Sequence, residues 1–315
     1  MTRTSTSDPV PDLIQEVDER RMRENLLYLA KDPLPYRKLN YTLPGHEKNT
    51  LYEADDFIQG QLESWGYAVE KEQVQVQAFR CDTTKTPKSS WCSPPLPEDP
   101  WYTAYNLYAK KTGSVHPDEI IVVISHKDSQ SWIDSPGAND NAVGTVGNME
   151  ISRVLANYDS RRSIWFIYCN EEHTPWTSIT VARNAKERGD NIVAVFNIDS
   201  IGRKSPEDTE AGKKTNVTLY TTPEGEQLAD LMAEVNEMYE IGLIQSKYQR
   251  PSPGDDDGSF VKAGYPAAVL NIGSYPYKDP NYHSEGDTPE TVDIKNAAMA
   301  VQATLAAILR LDLQP

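Results

Sequence analysis

The chain is 315 residues long and carries 31 basic against 47 acidic side chains, a formal net charge of −16. That length suits one large α/β domain with a well-buried core, or two small ones. So acidic a chain argues against nucleic-acid phosphates and anionic membrane surfaces as partners. No apolar run approaches the ~18 residues of a membrane span.

In chain order, residues 1–8 are polar and lack the apolar core of a signal peptide. This reads as a cytoplasmic protein, or as a secreted or periplasmic one whose leader has been trimmed away. Residues 10–31 read as a helix with Leu13, Ile14, Val17, Met22, Leu26, Leu27 and Leu29 on one broad face, ended by Pro33-Leu34-Pro35. Residues 44–49 form a turn, with His46 solvated, into a helix through Ala54, Phe57, Ile58 and Leu62 that stops near Gly66. Val69, Val74, Val76 and Phe79 suggest an alternating strand with one wet face. Residues 80–104 break the pattern: Cys81 and Cys92 bracket a polar segment, and Pro94, Pro95, Pro97 and Pro100 follow with Trp91 and Trp101. The stretch reads as a surface loop or as a rim over a site. A Cys81–Cys92 bridge would stabilise it by about 3 kcal/mol in an oxidising compartment, while Cys169 reads as a free thiol packed in a strand.

Three apolar runs then end in side chains of the metal-binding kind. Residues 119–125 lead into His126 and, two residues on, Asp128; 163–169 lead through Asn170 into Glu171-Glu172; 192–198 lead into Asp199. Near-continuous β-branched and aromatic runs read as buried, mostly parallel strands. Open α/β sheets bind ligands beyond the carboxyl ends of their strands. Between the first two runs, Gly137-Ala138-Asn139-Asp140-Asn141-Ala142-Val143-Gly144 joins a loop to a helical run over 148–157. Asp-Asn pairs before a helix usually cap it; the company of His126, Glu171, Glu172 and Asp199 makes Asp140 a ligand candidate instead. Downstream, the patterns predict a helix over 178–188, a strand over 216–222, a helix over 223–239, a strand over 269–272 and a closing helix over 293–311. Asp255-Asp256-Asp257 reads as a solvated turn, and His116 and His173 as exposed or supporting histidines.

His126-Lys127-Asp128-Ser129, the 137–144 stretch, Glu171-Glu172, Asp199 and Tyr282-His283-Ser284-Glu285-Gly286-Asp287-Thr288 stand in that order. Together they resemble the zinc-dependent peptidases of family M28, the bacterial aminopeptidase type, from about the first helix to the last. The resemblance implies an α/β fold with a mixed, mainly parallel sheet between helices, in a single domain over 1–315 with residues 80–104 as an insertion. It implies two zinc ions, for which cobalt or manganese would substitute in similar geometry. Asp140 would bridge them, His126 and Asp199 completing one and Glu172 and His283 the other, with a hydroxide shared between them. Asp128 would fix the ring of His126, and Glu171, left off the metal, would carry the proton from water to the leaving amine. The segment 255–260 resembles the family's Ser-Asp-His-x-x-Phe, which makes Asp256 a carboxylate orienting a ligating histidine, His283, while Asp257 replaces the usual His. Pro175 departs from a stretch that is often Gly-rich in relatives.

The expected function is removal of N-terminal residues from peptides with a free N-terminus. A glutaminyl-cyclase-like acyltransferase is a related alternative, though such relatives use one metal and do not need a His at position 126. A non-catalytic binding protein on the same fold is another, though no ligand is missing here. The acidic surround favours a cationic chain end, since Arg203 and Arg250 are isolated and Arg161-Arg162 precedes its strand at the opposite edge. Trp132 and Trp176, with Trp91 or Trp101 folding over, would wall an apolar pocket.

Overall fold

The computed structural model describes residues 8–315, so the polar stretch 1–7 lies outside the described residues. The helix expected over 10–31 is two, α1 (Val10–Gln15) and α2 (Glu19–Ala30). Asp18 divides them because its carboxylate accepts from the N–H groups of Arg20 and Arg21 and caps α2. Next, α3 (Thr50–Ser64) starts on an Asn49 cap, and β1 (Val69–Ala78) follows as a strand of the main sheet. The chain then leaves the main sheet as a separate hairpin of β2 (Arg80–Cys81) with β3 (Cys92–Ser93). This irregular stretch is shorter than the sequence suggests. The next strand, β4 (Trp101–Lys111), begins at Trp101 rather than near 105 because its first residues pair with Gln77 and Val76 of β1.

The centre has β5 (His116–His126), α4 (Val143–Leu155), β6 (Arg162–Cys169), β7 (His173–Thr174), α5 (Thr177–Arg188) and β8 (Asn191–Ile198); this is the predicted order apart from the unexpected two-residue β7, and α4 begins at 143 rather than 148. After it come α6 (Pro206–Glu210), β9 (Thr215–Tyr220), α7 (Pro223–Met238), β10 (Ile244–Gln249), α8 (Asp255–Lys262), β11 (Ala268–Ile272) and α9 (Ile294–Asp312). Strand β10 had no apolar pattern to announce it, because it is an exposed edge paired only with β9. The three aspartates are no solvated turn: they form the first turn of α8, where the helix dipole favours negative charge.

Nine strands make one mixed sheet in the order β10-β9-β11-β8-β5-β6-β4-β1-β7. The run β11-β8-β5-β6 is parallel, whereas β9, β4 and β1 run antiparallel to β11, β6 and β4 respectively. Successive side chains of β5 point to opposite faces. Ile121 and Val123 join a core with α2, α4, α7 and α9, while Ile120, Val122 and Ile124 join another with α5 and α8. Burying each such side chain stabilises the fold by roughly 1.5–3 kcal/mol, which fixes the register and so the strand ends. Because β5, β6 and β8 run parallel and adjacent, the residues that follow them emerge on one edge. Among the described residues no helix is long and apolar enough to cross a membrane.

Candidate metal centre

Five of the expected ligands converge on that edge. His126 Nε2 lies 3.2 Å from Asp140 Oδ1 and 3.5 Å from Asp199 Oδ2. His283 Nε2 lies 3.2 Å from Asp140 Oδ2 and 3.4 Å from Glu172 Oε1. The two oxygens of Asp140 thus face different histidines, each with its own second carboxylate. Burial opposes a charged His126, yet Asp199 and the hydrogen bonds of Asp128 and Asp140 raise its pKa well above the ordinary value. Against burial, Glu172 and Asp140 push His283 up to about 10. The crowd of carboxylates therefore draws positive charge to this edge.

Backbone constraints explain the 137–144 stretch. Gly137 has φ +56°, and a Cβ there would stand 2.6 Å from the carbonyl of Asp140 and 2.8 Å from Ser129 Cβ. At Gly144 a Cβ would meet the Asn141 side chain and the carbonyl of Ile198, each at 2.2 Å. Glycine at 144 lets the loop press against the end of β8, beside Asp199, and glycine at 137 lets it fold back on Ser129 and the carbonyl of Asp140. Asn141 does cap: its Oδ1 accepts from the N–H of Gly144 at 2.9 Å, and its Nδ2 donates to the carbonyl of Ile198 at 2.9 Å. Asp140 is left free to face the histidines.

Asp128, fully buried, ties four groups together. Its Oδ1 accepts from His126 Nδ1 at 3.3 Å and from the N–H of Glu171 at 2.9 Å; its Oδ2 accepts from the N–H of Glu172 at 2.9 Å and from His173 Nδ1 at 2.7 Å. Burial alone would raise this carboxyl, but the hydrogen bonds from His126 and His173 hold it below the usual range. His173 is no ligand, because its Nε2 accepts from the N–H of Leu39. Glu171 leaves Oε2 buried without a hydrogen-bond partner, and burial, then Asp256 and Asp255, raise its pKa well above the ordinary value. Ligand atoms of His126, Asp140 and Glu172 lie within 4.8 Å of one another, and so do those of His126, Glu171 and Asp199. Distance alone would therefore admit Glu171 as a ligand as well.

Asp256 is not where the sequence expectation put it. It accepts from Cys169 Sγ at 2.9 Å, inside the sheet, and burial lifts its carboxyl to about 6. The side chain α8 aims at the sheet cannot also reach the loop of His283. There Nδ1 faces the carbonyl of Ser89 at 3.3 Å, a residue of the stretch between β2 and β3. That stretch is a rim: Lys88 pairs with Glu285, and Cys92 and Phe79 line the cavity over the centre. Cys81 and Cys92 are cross-strand partners in the hairpin, with free thiols.

The cavity, about 450 Å³, is walled by Trp132, Trp176, Tyr275, Tyr277 and Tyr282. Of the expected tryptophans, Trp132 and Trp176 take part. Trp91 instead donates to the carbonyl of Lys85, and Trp101 points outward, 57% exposed. Arg250 reaches the cavity but is bound to Asp255 and Asp257, and Arg203 pairs with Asp279.

The sequence model of Peptidase family M28 matches residues 106–308, a stretch that contains all five converging side chains. The chain belongs to that family. A probable aminopeptidase of Saccharomyces cerevisiae is 28% identical over 220 residues, covering 66% of this chain and 57% of its own. The chain spans little more than half the length of that relative and of the probable zinc metalloproteases of Pyrenophora species that it also matches. Among solved structures, the LapA aminopeptidase of Legionella pneumophila superposes with a TM-score of 0.73 at 17% identity, over 100% of this chain and 77% of that one. A glutaminyl cyclase of Bacteroides thetaiotaomicron superposes with a TM-score of 0.68 at 15% identity, over 93% and 98%. At these identities the superpositions speak for the fold alone.

The donor set of this M28 chain suits zinc. It offers imidazole nitrogens and carboxylate oxygens, and an ion ~2.0–2.2 Å from each donor sets tetrahedral neighbours about 3.3–3.6 Å apart. The histidine–carboxylate separations of 3.2–3.5 Å are of that size. Three supporting residues went unassigned in the sequence. Asp287 accepts from the N–H groups of Asn139 at 2.8 Å and Asp140 at 3.0 Å, which explains the Asp of the 282–288 motif. Arg37, fully buried, donates to the carbonyls of Leu29, Lys127, Pro136 and Gly137. Gln130, also fully buried, donates to Asp140 and Glu172. Neither Arg37 nor Gln130 carries a sequence signal, since their partners are backbone or lie far along the chain.

Proposed function

We propose that this chain is a two-ion zinc aminopeptidase acting on peptides with a free N-terminus. The observation that carries this is the position of Asp140, one oxygen toward His126 and Asp199 and the other toward His283 and Glu172. Bound there, two ions would polarise the scissile carbonyl and lower the pKa of a water towards ~7. The chain's own residues do the rest. Asp128 holds the ring of His126 and, through two backbone N–H groups, sets Glu171 and Glu172 in place. Glu172 turns to His283, while Glu171, which lines the cavity, keeps a buried oxygen without a partner. Glu171 is then the group that takes the water's proton and returns it to the leaving amine.

Recognition of an amine, rather than a carboxylate, follows from charge. Arg250, which lines the cavity, is spent on Asp255 and Asp257, whereas Glu171 lines it with its Oε2 unpartnered. The cyclase-like reading fits less well, because His126 is buried, oriented by Asp128 and aimed at two carboxylates, as a ligand would be. Zinc analysis combined with leucine p-nitroanilide and its N-acetyl derivative tests the proposal. The expectation is two ions per chain and hydrolysis of the free amine only. Comparable rates on both substrates would refute the aminopeptidase reading.

A further inference from the structure

The two halves of the centre are supported by different groups. On the His126 side, Asp128 orients the imidazole and Ser200 Oγ donates to Asp199 Oδ1 at 2.8 Å. On the His283 side, the carboxylates have a neutral donor, Gln130. Its Nε2 lies 2.6 Å from Glu172 Oε1 and 3.0 Å from Asp140 Oδ2, with the carbonyl of Asp140 at 3.2 Å. These are the two carboxylate oxygens that His283 Nε2 approaches. The side chain is fully buried, and its Oε1 has no partner. A buried amide with half its hydrogen-bonding capacity unmet costs stability, so a purely structural role accounts poorly for glutamine here.

We propose that Gln130 is a positioning residue for the ion held by Glu172, His283 and Asp140, and that it sets the affinity of that half above all. This inference rests on the two-ion reading. Two carboxylates brought together repel, and one amide nitrogen donating to both lowers that cost while fixing their separation. Each carboxylate oxygen has a further lone pair to offer a cation while it accepts from Gln130. Outer groups of this kind are typically worth 10–100-fold in metal affinity. Asp199 and His126 make no hydrogen bond to Gln130, and Gln130 meets the shared Asp140 at Oδ2, not at the Oδ1 that faces His126, so their half is the less affected.

The experiment titrates zinc and cobalt into chelator-treated protein against a competing indicator, resolving two successive dissociation constants. Gln130→Met, similar in size and without the amide, is expected to weaken one ion ~10–100-fold and to affect the other less. In a Glu172→Gln background, where that half is already lost, Gln130→Met is expected to add nothing further. Gln130→Thr, smaller and free of new contacts, gives the same reading should the methionine variant fold poorly, and thermal melts in chelator report the fold separately. Unchanged constants in both variants, or equal weakening of both ions, overturn the positioning role while the two-ion reading stands. Wild-type protein that takes up one ion overturns both.

Discussion

The two halves of the centre differ in what they stand on. His126 ends β5 and Asp199 directly follows β8, neighbouring strands of the sheet, and both are buried. His283 sits in the connection between β11 and α9, with φ +51° and no strand beneath it. It is held from the side: Tyr282 stacks on it at 3.7 Å, Trp132 meets it edge-on at 4.9 Å, and Ser89 of the rim faces its Nδ1. One half is thus set by the register of the sheet, which close packing on both faces defends. The other is assembled from loops that meet only when the whole chain is folded. The first should be rigid and tolerant of surface changes; the second should feel changes in the rim and in Gln130.

Asp140 is common to both halves, so its loss should have the largest effect. Asp140→Ala is expected to abolish activity and release both ions, whereas His126→Ala should release one preferentially; elemental analysis after dialysis separates the two. Glu171→Gln is expected to lower kcat by ~10²–10⁴ while both ions stay. If the variant instead loses an ion, Glu171 belongs among the ligands, as its spacing to His126 and Asp199 would allow.

Shortening the rim between β2 and β3, by replacing residues 83–90 with a tight turn, breaks the comparison at its weaker side. It removes Ser89 from His283 and Lys88 from Glu285. The expected result is reduced occupancy of one ion, of the order of tenfold in affinity, with the other retained. Equal retention of both ions would show that the rim only covers the site.

The smallest effect concerns pH. Burial first, then the negative charge of Asp256, raises the pKa of Glu171. A base works only when deprotonated, so activity should fall as pH drops through that pKa. Asp256→Asn removes one of the raising charges, ionised Glu171 becomes easier to form, and the acid limb of kcat/KM should move to lower pH. A limb that moves upward, or not at all, would sever the link between α8 and Glu171.

Legibility in the sequence followed the same division. The apolar runs ending at 125, 169 and 198, together with the glycines at 137 and 144, determined the parallel centre, its ligand-bearing edge and the loop of Asp140. They could do so because strand burial and close backbone approach each leave a local residue pattern. The place of Asp256 was misjudged because a likeness in local sequence does not say which way a side chain on α8 points, and only packing against β6 shows that it meets Cys169. The break at Asp18, the start of β4 at Trp101 and the edge strand β10 came from a cap and from cross-strand pairing, neither of which periodicity reports. The roles of Arg37, Gln130, Asp287 and Ser89 were decided by tertiary structure alone. Each acts through hydrogen bonds to backbone or to residues distant in sequence, and such bonds constrain position in space without imposing any spacing along the chain.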